Sequence, residues 1–340
     1  MHKGRILTGA VTAALALSFT GSAFAADPKV NWNFSVWGKK RAFTAGVHKL
    51  SEIVAAKTGG KFNIKIHYGT LSKPKENLDG IKLGAFQGAM SCNFYHPGKN
   101  PAHMVFSLPF LPMSSWRASV AVRDTLFEHP ALKKELDRWD AVAFLPTYLP
   151  QYEFMGKGAP PKTPADFKGW RVRAGGGIGD AMVVLGATKQ TMPATEVYTA
   201  ISRGTSDAVS FPFTYAFASY KIDEVAKWFT SNMSVGSAEC PMIFNKNAMA
   251  KLPANYKKIM DDAKDEVRAA MIAAYQDLDK VNLPKFKAKM QEIRYSDEQL
   301  AEFRRVGGKP IWDKWVKKNQ GKFDAQGLLD LALKTAAAVQ

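Results

Sequence analysis

Residues 30–68 read VNWNFSVWGKKRAFTAGVHKLSEIVAAKTGGKFNIKIHY, and this stretch sets the fold class. Residues Val30–Val36 predict a strand, and the run that follows to about Lys57 has apolar residues at near-helical spacing and predicts a helix. The helix is expected to end at Thr58-Gly59-Gly60, and the alternation in Phe62–Tyr68 predicts a second strand. A strand, a helix and a second strand in this order are typical of a parallel α/β unit.

The same alternation continues in the next part of the chain. Residues 75–83 predict a second helix, and residues 85–93 predict a third strand. In parallel α/β sheets, ligands bind beyond the carboxyl ends of the strands. We therefore expect the binding site at Trp37, which follows the first strand, and in the loop at residues 91–95, which contains Asn93, Phe94 and Tyr95.

The N-terminus has the pattern of a secretory signal peptide. Lys3 and Arg5 precede an apolar stretch at residues 6–19, and Ala23-Phe24-Ala25 places small residues at both key cleavage positions before Ala26. A transmembrane anchor is the alternative, but the apolar run is shorter than the ~20 residues that a spanning helix needs. The mature protein is therefore expected to be soluble and periplasmic.

The composition is that of a globular protein, with 46% hydrophobic residues in a chain of 340. About 315 residues remain after cleavage, which is too long for one compact core and suits two lobes. The 47 Lys and Arg exceed the 30 Asp and Glu, but these charges are scattered, which argues against nucleic acid and favours small anions or an acidic partner surface. Cys92 and Cys240 are the only cysteines, so a single periplasmic disulfide is allowed but not required.

Motifs that carry catalysis or hold metals and cofactors are missing from the sequence. The glycines at residues 175–179 would match the dinucleotide fingerprint only with glycine at the next position, which is Asp180. The six histidines show no metal spacing, and His96 is interpreted as a surface or hydrogen-bonding residue. We expect no catalytic residue, no metal and no cofactor, with an exported enzyme of unknown chemistry as the less favoured alternative.

Arg173 is the residue best suited to bind an anion. It closes a predicted strand at residues 170–173 that leads into the glycine-rich turn, and a helix is predicted from Asp180 to Leu185. Free backbone N–H groups at a helix N-terminus, here near Gly176, and the guanidinium fork both suit a carboxylate. From the residues alone, Arg173 could equally pair with a structural Asp or Glu.

Residues 162–173 read KTPADFKGWRVR, and residues 192–201 read MPATEVYTAI. The first segment resembles the connector and strand that end in the ligand-binding arginine of the solute-binding subunits of tripartite ATP-independent periplasmic (TRAP) transporters. Further pieces in the same order extend the resemblance over the whole mature chain, at residues 58–62, 108–110, 243–246, 252–253 and 310–315.

This resemblance implies a periplasmic-binding-protein-like fold of two α/β lobes, joined by crossing hinge strands and a long interlobe helix, that closes on one ligand. It matches Arg173 to the arginine that clamps the substrate carboxylate, and it implies transient contact with the large and small TRAP membrane subunits. The hinge is expected near residues 149–152 and 237–240. The expected division is a signal peptide at 1–25, lobe I at 26–149 plus 239–280, lobe II at 150–238 plus 281–315, and a C-terminal helical segment at 316–340.

Two departures from the family pattern bear on the ligand. Phe211 stands where many members have a ligand-binding Asn, and no second Arg occurs in residues 150–154. The preferred ligand is therefore an aromatic or otherwise hydrophobic monocarboxylate, with a small 2-oxo or hydroxy acid or a dicarboxylate as the alternative. Coupling to another importer or to a sensor is a further alternative. The expected substrate-binding residues are Trp37, Asn93, Phe94, Tyr95, Tyr148, Arg173, Gly176 and Phe211, and Tyr215 is a further candidate.

Overall fold

The computed structural model describes Met1 and residues 27–339. The predicted signal peptide, residues 1–25, lies outside these residues apart from Met1. The strands are β1 (Val30–Val36), β2 (Phe62–Tyr68), β3 (Gly88–Met90), β4 (Ala141–Leu145), β5 (Tyr152–Gly156), β6 (Arg171–Arg173), β7 (Thr188–Gln190), β8 (Ala208–Pro212), β9 (Trp228–Thr230), β10 (Met242–Asn245) and β11 (Gln291–Ile293). The α-helices are α1 (Ala45–Lys57), α2 (Asn77–Lys82), α3 (Trp116–Phe127), α4 (Pro130–Asp137), α5 (Gly176–Val184), α6 (Val197–Ser202), α7 (Tyr215–Ser219), α8 (Lys246–Lys251), α9 (Ala254–Asp262), α10 (Lys264–Lys289), α11 (Asp297–Gly307), α12 (Lys309–Asn319) and α13 (Ala325–Ala337).

The strands form two sheets. The first has the order β2-β1-β3-β10-β4, in which β1 is parallel to both β2 and β3. The second has the order β11-β9-β5-β8-β6-β7, with β6 parallel to β7 and β8. The predicted α/β class with two sheets is confirmed, and the strand-helix-strand pattern at the start of the chain is confirmed at β1, α1 and β2.

The chain crosses between the sheets three times, twice through non-helical segments and once through helix α10, which leads from β10 to β11. It passes from β4 in the first sheet to β5 in the second, and it returns from β9 in the second sheet to β10 in the first. β10 comes late in the chain but pairs antiparallel with both β3 and β4, so the first sheet contains a strand that follows β5 to β9 of the second sheet in the chain. The two crossing segments, residues 146–151 and 231–241, therefore run side by side.

A buried ion pair joins the two crossing segments to α3. The Arg123 Nε donates to the Glu239 carboxylate at 2.7 Å, and neither side chain is exposed to solvent. Arg123 also donates to the Leu149 carbonyl at 3.2 Å and to the Ser237 hydroxyl at 2.7 Å, while the Thr147 amide donates to Glu239 at 2.8 Å. A buried pair with this many hydrogen bonds is costly to break because either partner alone would be an uncompensated charge.

The disulfide that the sequence left open is present. Cys92 follows β3 and is bonded to Cys240, which precedes β10, and both side chains are buried. The bond therefore fastens the second crossing segment to the first sheet.

Helix α10 is the long interlobe helix. It contains 26 residues, including Pro284, and it packs on α1 beside the first sheet and on α7 and β11 beside the second. The other helices late in the chain are shorter, since α9 ends at Asp262 before α10 begins and α11 ends at Gly307 before α12 begins.

Candidate functional site

A small cavity lies between the two sheets, at the strand ends where the sequence analysis expected the site. Its volume is about 30 Å³, and it is bounded by residues from both sides of the cleft. The lining residues are Trp37, Arg41, Phe43, Cys92, Phe94, Tyr95, Leu149, Tyr152, Arg173, Ala194, Phe211, Pro212, Tyr215, Ala216, Tyr220 and Cys240.

Arg173 enters this cavity from the end of β6 and is 1% exposed. Its Nη2 donates to the Met192 carbonyl at 2.9 Å, and its Nη1 donates to the Ser210 carbonyl at 3.1 Å. Among residues 27–339, no carboxylate lies within ion-pair distance of this guanidinium, so the alternative of a structural Asp or Glu partner is not realised there. A buried charge is costly unless it is paired, and this one is available to an anionic ligand.

Two aromatic rings cover the Arg173 guanidinium. Its Cζ lies 4.7 Å from the centroid of Phe211 and 5.8 Å from that of Phe94, both within cation–π range. Phe211 comes from β8 in the second sheet, and Phe94 comes from the 3-10 helix Asn93–Tyr95 that follows β3 in the first. The two rings therefore shield the guanidinium from water, one on each side of the cleft.

Tyr95 joins the two sides of the cleft directly. Its hydroxyl accepts a hydrogen bond from the Ala194 amide at 3.0 Å, and its ring packs edge-on against Trp37 with centroids 5.6 Å apart. Burial raises the pKa of Tyr95, and the nearby Arg173 charge partly opposes that shift. The side chain is therefore neutral near pH 7, and its contact with Ala194 belongs to a closed cleft.

Five of the eight residues expected from the sequence line the cavity, namely Trp37, Phe94, Tyr95, Arg173 and Phe211. Tyr215, the further candidate, also lines it.

Asn93 lies outside the cavity wall and is fully buried. Its amide donates to the His103 carbonyl at 2.9 Å and to the Ser107 hydroxyl at 2.8 Å, and its Oδ1 accepts from the Phe94 amide at 2.8 Å. These bonds satisfy the side chain internally, so Asn93 supports the loop that carries Phe94 and Tyr95.

Tyr148 points away from the cavity. Its backbone has the left-handed φ of 46°, and its hydroxyl donates to Asp124 at 2.6 Å and accepts from the Arg268 Nε at 2.9 Å. The side chain therefore packs between α3 and α10, on the other side of the first crossing segment.

Gly176 lines a separate outer cavity of about 440 Å³. It begins α5 with a left-handed φ of 53°, and an added Cβ would come within 2.6 Å of the Ser107 Cβ. The N-terminus of α5 thus packs against the 3-10 helix His103–Ser107, and Gly176 is not among the residues that line the cavity of Arg173.

Arg41 was not anticipated as a site residue. It lies in the loop after β1, four residues beyond Trp37, so the strand-end argument that selected Trp37 could have been extended to it. Its Nη1 donates to the Trp37 and Lys39 carbonyls at 2.7 Å, while its Nε is buried without a hydrogen-bond partner.

Tyr152 and Tyr220 were also missed. Tyr152 lies at the start of β5, and Tyr220 follows α7 and stacks on Phe211 with centroids 5.4 Å apart. Each has a hydroxyl that makes no hydrogen bond within residues 27–339. The cavity is consequently richer in polar groups than the sequence indicated.

The part of the chain that the structure describes contains neither a cluster of metal ligands nor a membrane-spanning helix. No group of His, Cys, Asp and Glu side chains there could hold a metal ion. None of the helices there is long and apolar enough to cross a membrane.

Known proteins share the sequence pattern and the architecture of this chain. The family model for bacterial extracellular solute-binding protein, family 7 (DctP), matches residues 35–319. A monocarboxylate 2-oxoacid-binding periplasmic protein of a Nostoc species is 26% identical over 265 residues, which cover 76% of this chain and 72% of that protein.

Two solved structures have the same fold. A TRAP solute-binding protein from Rhodoferax ferrireducens, in complex with copurified benzoate, matches with a TM-score of 0.81 at 22% identity, over 91% of this chain and 98% of that chain. A marine metagenome TRAP solute-binding protein specific for aromatic acid ligands, crystallised with 3-hydroxybenzoate, also gives a TM-score of 0.81, at 23% identity, over 92% of this chain and 100% of that chain.

The family match spans most of the chain and agrees with the two-sheet fold. Because the family and the structural neighbours are substrate-binding proteins, the expectation that this chain is not an enzyme is confirmed. The resemblance described from the sequence is confirmed as well. The chain belongs to the bacterial extracellular solute-binding protein family 7, as a DctP-like substrate-binding subunit of the TRAP type.

Proposed function

We propose that this protein captures an aromatic or otherwise hydrophobic monocarboxylate in the periplasm and delivers it to large and small TRAP membrane subunits. The observation that carries the proposal is the buried Arg173 guanidinium, which has no acidic partner within residues 27–339 and lies against Phe211 and Phe94. A carboxylate would supply the missing counter-ion, and an apolar body attached to it would pack on the rings.

Two of the neighbouring structures support this ligand class. One of the two structural neighbours was crystallised with benzoate and the other with 3-hydroxybenzoate. Both acids combine one carboxylate, which would pair with Arg173, with one aromatic ring, which would pack on Phe211 and Phe94.

A small 2-oxo or hydroxy acid is the second candidate, and the cavity size favours it. A volume of about 30 Å³ admits little more than a few atoms, so a ring as large as benzoate requires the lining side chains to move outward. The Nostoc relative, a 2-oxoacid-binding protein, supports the same candidate.

Binding is proposed to work by closure of the two lobes. The lobes are residues 26–149 plus 239–280 and residues 150–238 plus 281–315, and they rotate about the crossing segments near 149–152 and 237–240. Closure brings Tyr95 to Ala194 and removes the ion pair from water, which strengthens the charge-assisted bonds to the ligand. The ligand thus stabilises the closed form that the membrane subunits receive.

The decisive experiment is mass spectrometry of the small molecule released when freshly purified protein is denatured. It is paired with a thermal-shift panel of benzoate, phenylacetate, cinnamate, pyruvate, succinate and a sugar acid. We expect the aromatic acids to raise Tm most. A rise with pyruvate alone would favour the second candidate, and a rise only with succinate or the sugar acid would contradict the hydrophobic-monocarboxylate proposal.

A further inference from the structure

We infer that Arg41 and Tyr220 form a second polar subsite in the same cavity, and that it binds a hydroxyl or oxo oxygen of the ligand away from the carboxylate. The inference rests on the proposed function, because it assigns the carboxylate to Arg173. The ligand class becomes a monocarboxylate with a second oxygen remote from the carboxylate, such as a hydroxylated aromatic acid.

The Arg41 guanidinium is hydrogen-bonded at one nitrogen and unsatisfied at another. Its Nη1 is held by the Trp37 and Lys39 carbonyls, both at 2.7 Å, which fixes the side chain against its own loop. Its Nε is buried and donates to no acceptor, and no acidic side chain among residues 27–339 forms an ion pair with it. The backbone contacts therefore account for one edge of the guanidinium and leave the Nε donor for another acceptor.

Tyr220 supplies a second unpaired group beside the first. Its hydroxyl is buried without a hydrogen-bond partner, and the Arg41 Cζ lies 5.6 Å from the centroid of its ring. A Cβ built on Gly38 would lie 3.0 Å from the Arg41 Nη1 and 3.4 Å from the Tyr220 hydroxyl, so both groups approach the same glycine. Buried donors are almost always satisfied, and two adjacent unsatisfied ones in a ligand cavity indicate an acceptor that arrives with the ligand.

The surrounding rings connect this subsite to Arg173. Tyr220 stacks on Phe211 with centroids 5.4 Å apart, and Phe211 in turn covers the Arg173 guanidinium at 4.7 Å. Arg173 and Arg41 line the same cavity, and the Arg41 Cζ lies 5.9 Å from the centroid of Trp37. A ligand body that spans from Arg173 along Phe211 therefore ends at Tyr220 and Arg41.

The chemistry of the acceptor follows from the available space. The cavity is about 30 Å³, and two of the contacts that a guanidinium can offer are already used by backbone carbonyls. A single oxygen atom fits these conditions better than a second carboxylate, which needs two donors side by side.

The test uses matched acids that differ by one oxygen remote from the carboxylate: benzoate against 3-hydroxybenzoate, and phenylacetate against 3-hydroxyphenylacetate. Kd is measured by calorimetry for the wild type, Arg41→Met and Tyr220→Phe, with Tyr198→Phe as a control because Tyr198 is exposed and outside the cavity. We expect the wild type to prefer the oxygen-bearing member of at least one pair by about 10-fold, and each subsite variant to reduce that preference to about 2-fold. The control variant should keep the wild-type preference.

The outcomes separate this inference from the proposed function. Failure of all four acids to bind the wild type contradicts the proposed function and the inference together. Binding without a preference for oxygen, or a preference that both variants retain, contradicts the inference alone. Tyr220→Phe preserves the ring and its stacking on Phe211, so it remains informative if Arg41→Met folds poorly because the loop at residues 37–41 has lost its anchor.

Discussion

Replacing Arg173 with alanine should abolish ligand binding while the protein remains folded. In the closed cleft the variant would leave a ligand carboxylate buried without a counter-ion. Removing one partner of a buried, hydrogen-bonded charge pair costs about 2–5 kcal/mol, which corresponds to a loss of about 30-fold to several thousand-fold in affinity. Thermal shift with the acid identified by mass spectrometry should therefore show no ligand-dependent rise in Tm.

The stability of the ligand-free protein gives the second half of this prediction. The variant removes the donors to the Met192 and Ser210 carbonyls, each worth ~0.5–1.5 kcal/mol, but it also removes a buried cation that has no acidic partner within residues 27–339. These changes oppose each other, so Tm without ligand should move by only a few degrees. A large drop in Tm would instead indicate that Arg173 holds the fold together.

Two further variants complete the experiment. Arg173→Lys should recover little affinity, because an ammonium cannot reproduce the bidentate fork of the guanidinium. Arg171→Ala is the matched control, since Arg171 lies two residues earlier on the same strand but is exposed and pairs with Asp207 at 2.7 Å. Wild-type affinity in Arg173→Ala would refute the assignment of this residue to the ligand carboxylate.

Three other predictions follow from the closed cleft and its surroundings. Solution scattering should give a smaller radius of gyration with ligand than without, and an unchanged radius at saturation would argue against lobe closure. Phe211→Asn should weaken benzoate relative to pyruvate in calorimetry, because it removes the ring over Arg173, and an unchanged ratio would exclude Phe211 from ligand selection. Burial raises the pKa of Glu153 from 4.5 to about 7, while hydrogen bonds from Thr230, Ser234 and Met233 partly oppose the shift. Because the folded-state pKa is the higher one, its stabilising contribution is complete below pH 4.5 and is lost as the pH rises through 7, so Tm of the wild type should fall over this range relative to Glu153→Gln. A constant difference in Tm between the two proteins across this pH range would contradict the shift.

Local patterns in the sequence were sufficient for the fold class and for the strand ends that carry the site. The alternation in Val30–Val36 and Phe62–Tyr68 is a short-range property, and the rule that ligands bind at carboxyl strand ends then selects Trp37 and Phe94. Arg173 could be identified from the sequence because it ends a predicted strand and is also the last residue of the family-like segment at residues 162–173. These inferences need no knowledge of distant contacts.

The remaining features depend on contacts between distant parts of the chain. The direction of Tyr148 follows from its left-handed backbone and from partners on α3 and α10, which no local pattern encodes. Asn93 was expected to bind the ligand from its place in the strand-end loop, but it does not line the cavity, and His103 and Ser107 satisfy its amide. Arg41 was overlooked because its role follows from missing partners, and a missing partner becomes visible only when all the neighbours are in place.

The buried pair of Arg123 and Glu239 has a mechanical consequence for how the lobes move. The same guanidinium bonds to Leu149 in one crossing segment and to Ser237 in the other, and the disulfide at Cys240 fastens the second segment to the first sheet. Because the Arg123 side chain holds both crossing segments, the two segments cannot slide past each other and must bend together. We expect the lobes to open by rotation about a single axis. Each closure would then return Arg173 to the same position beside Phe94.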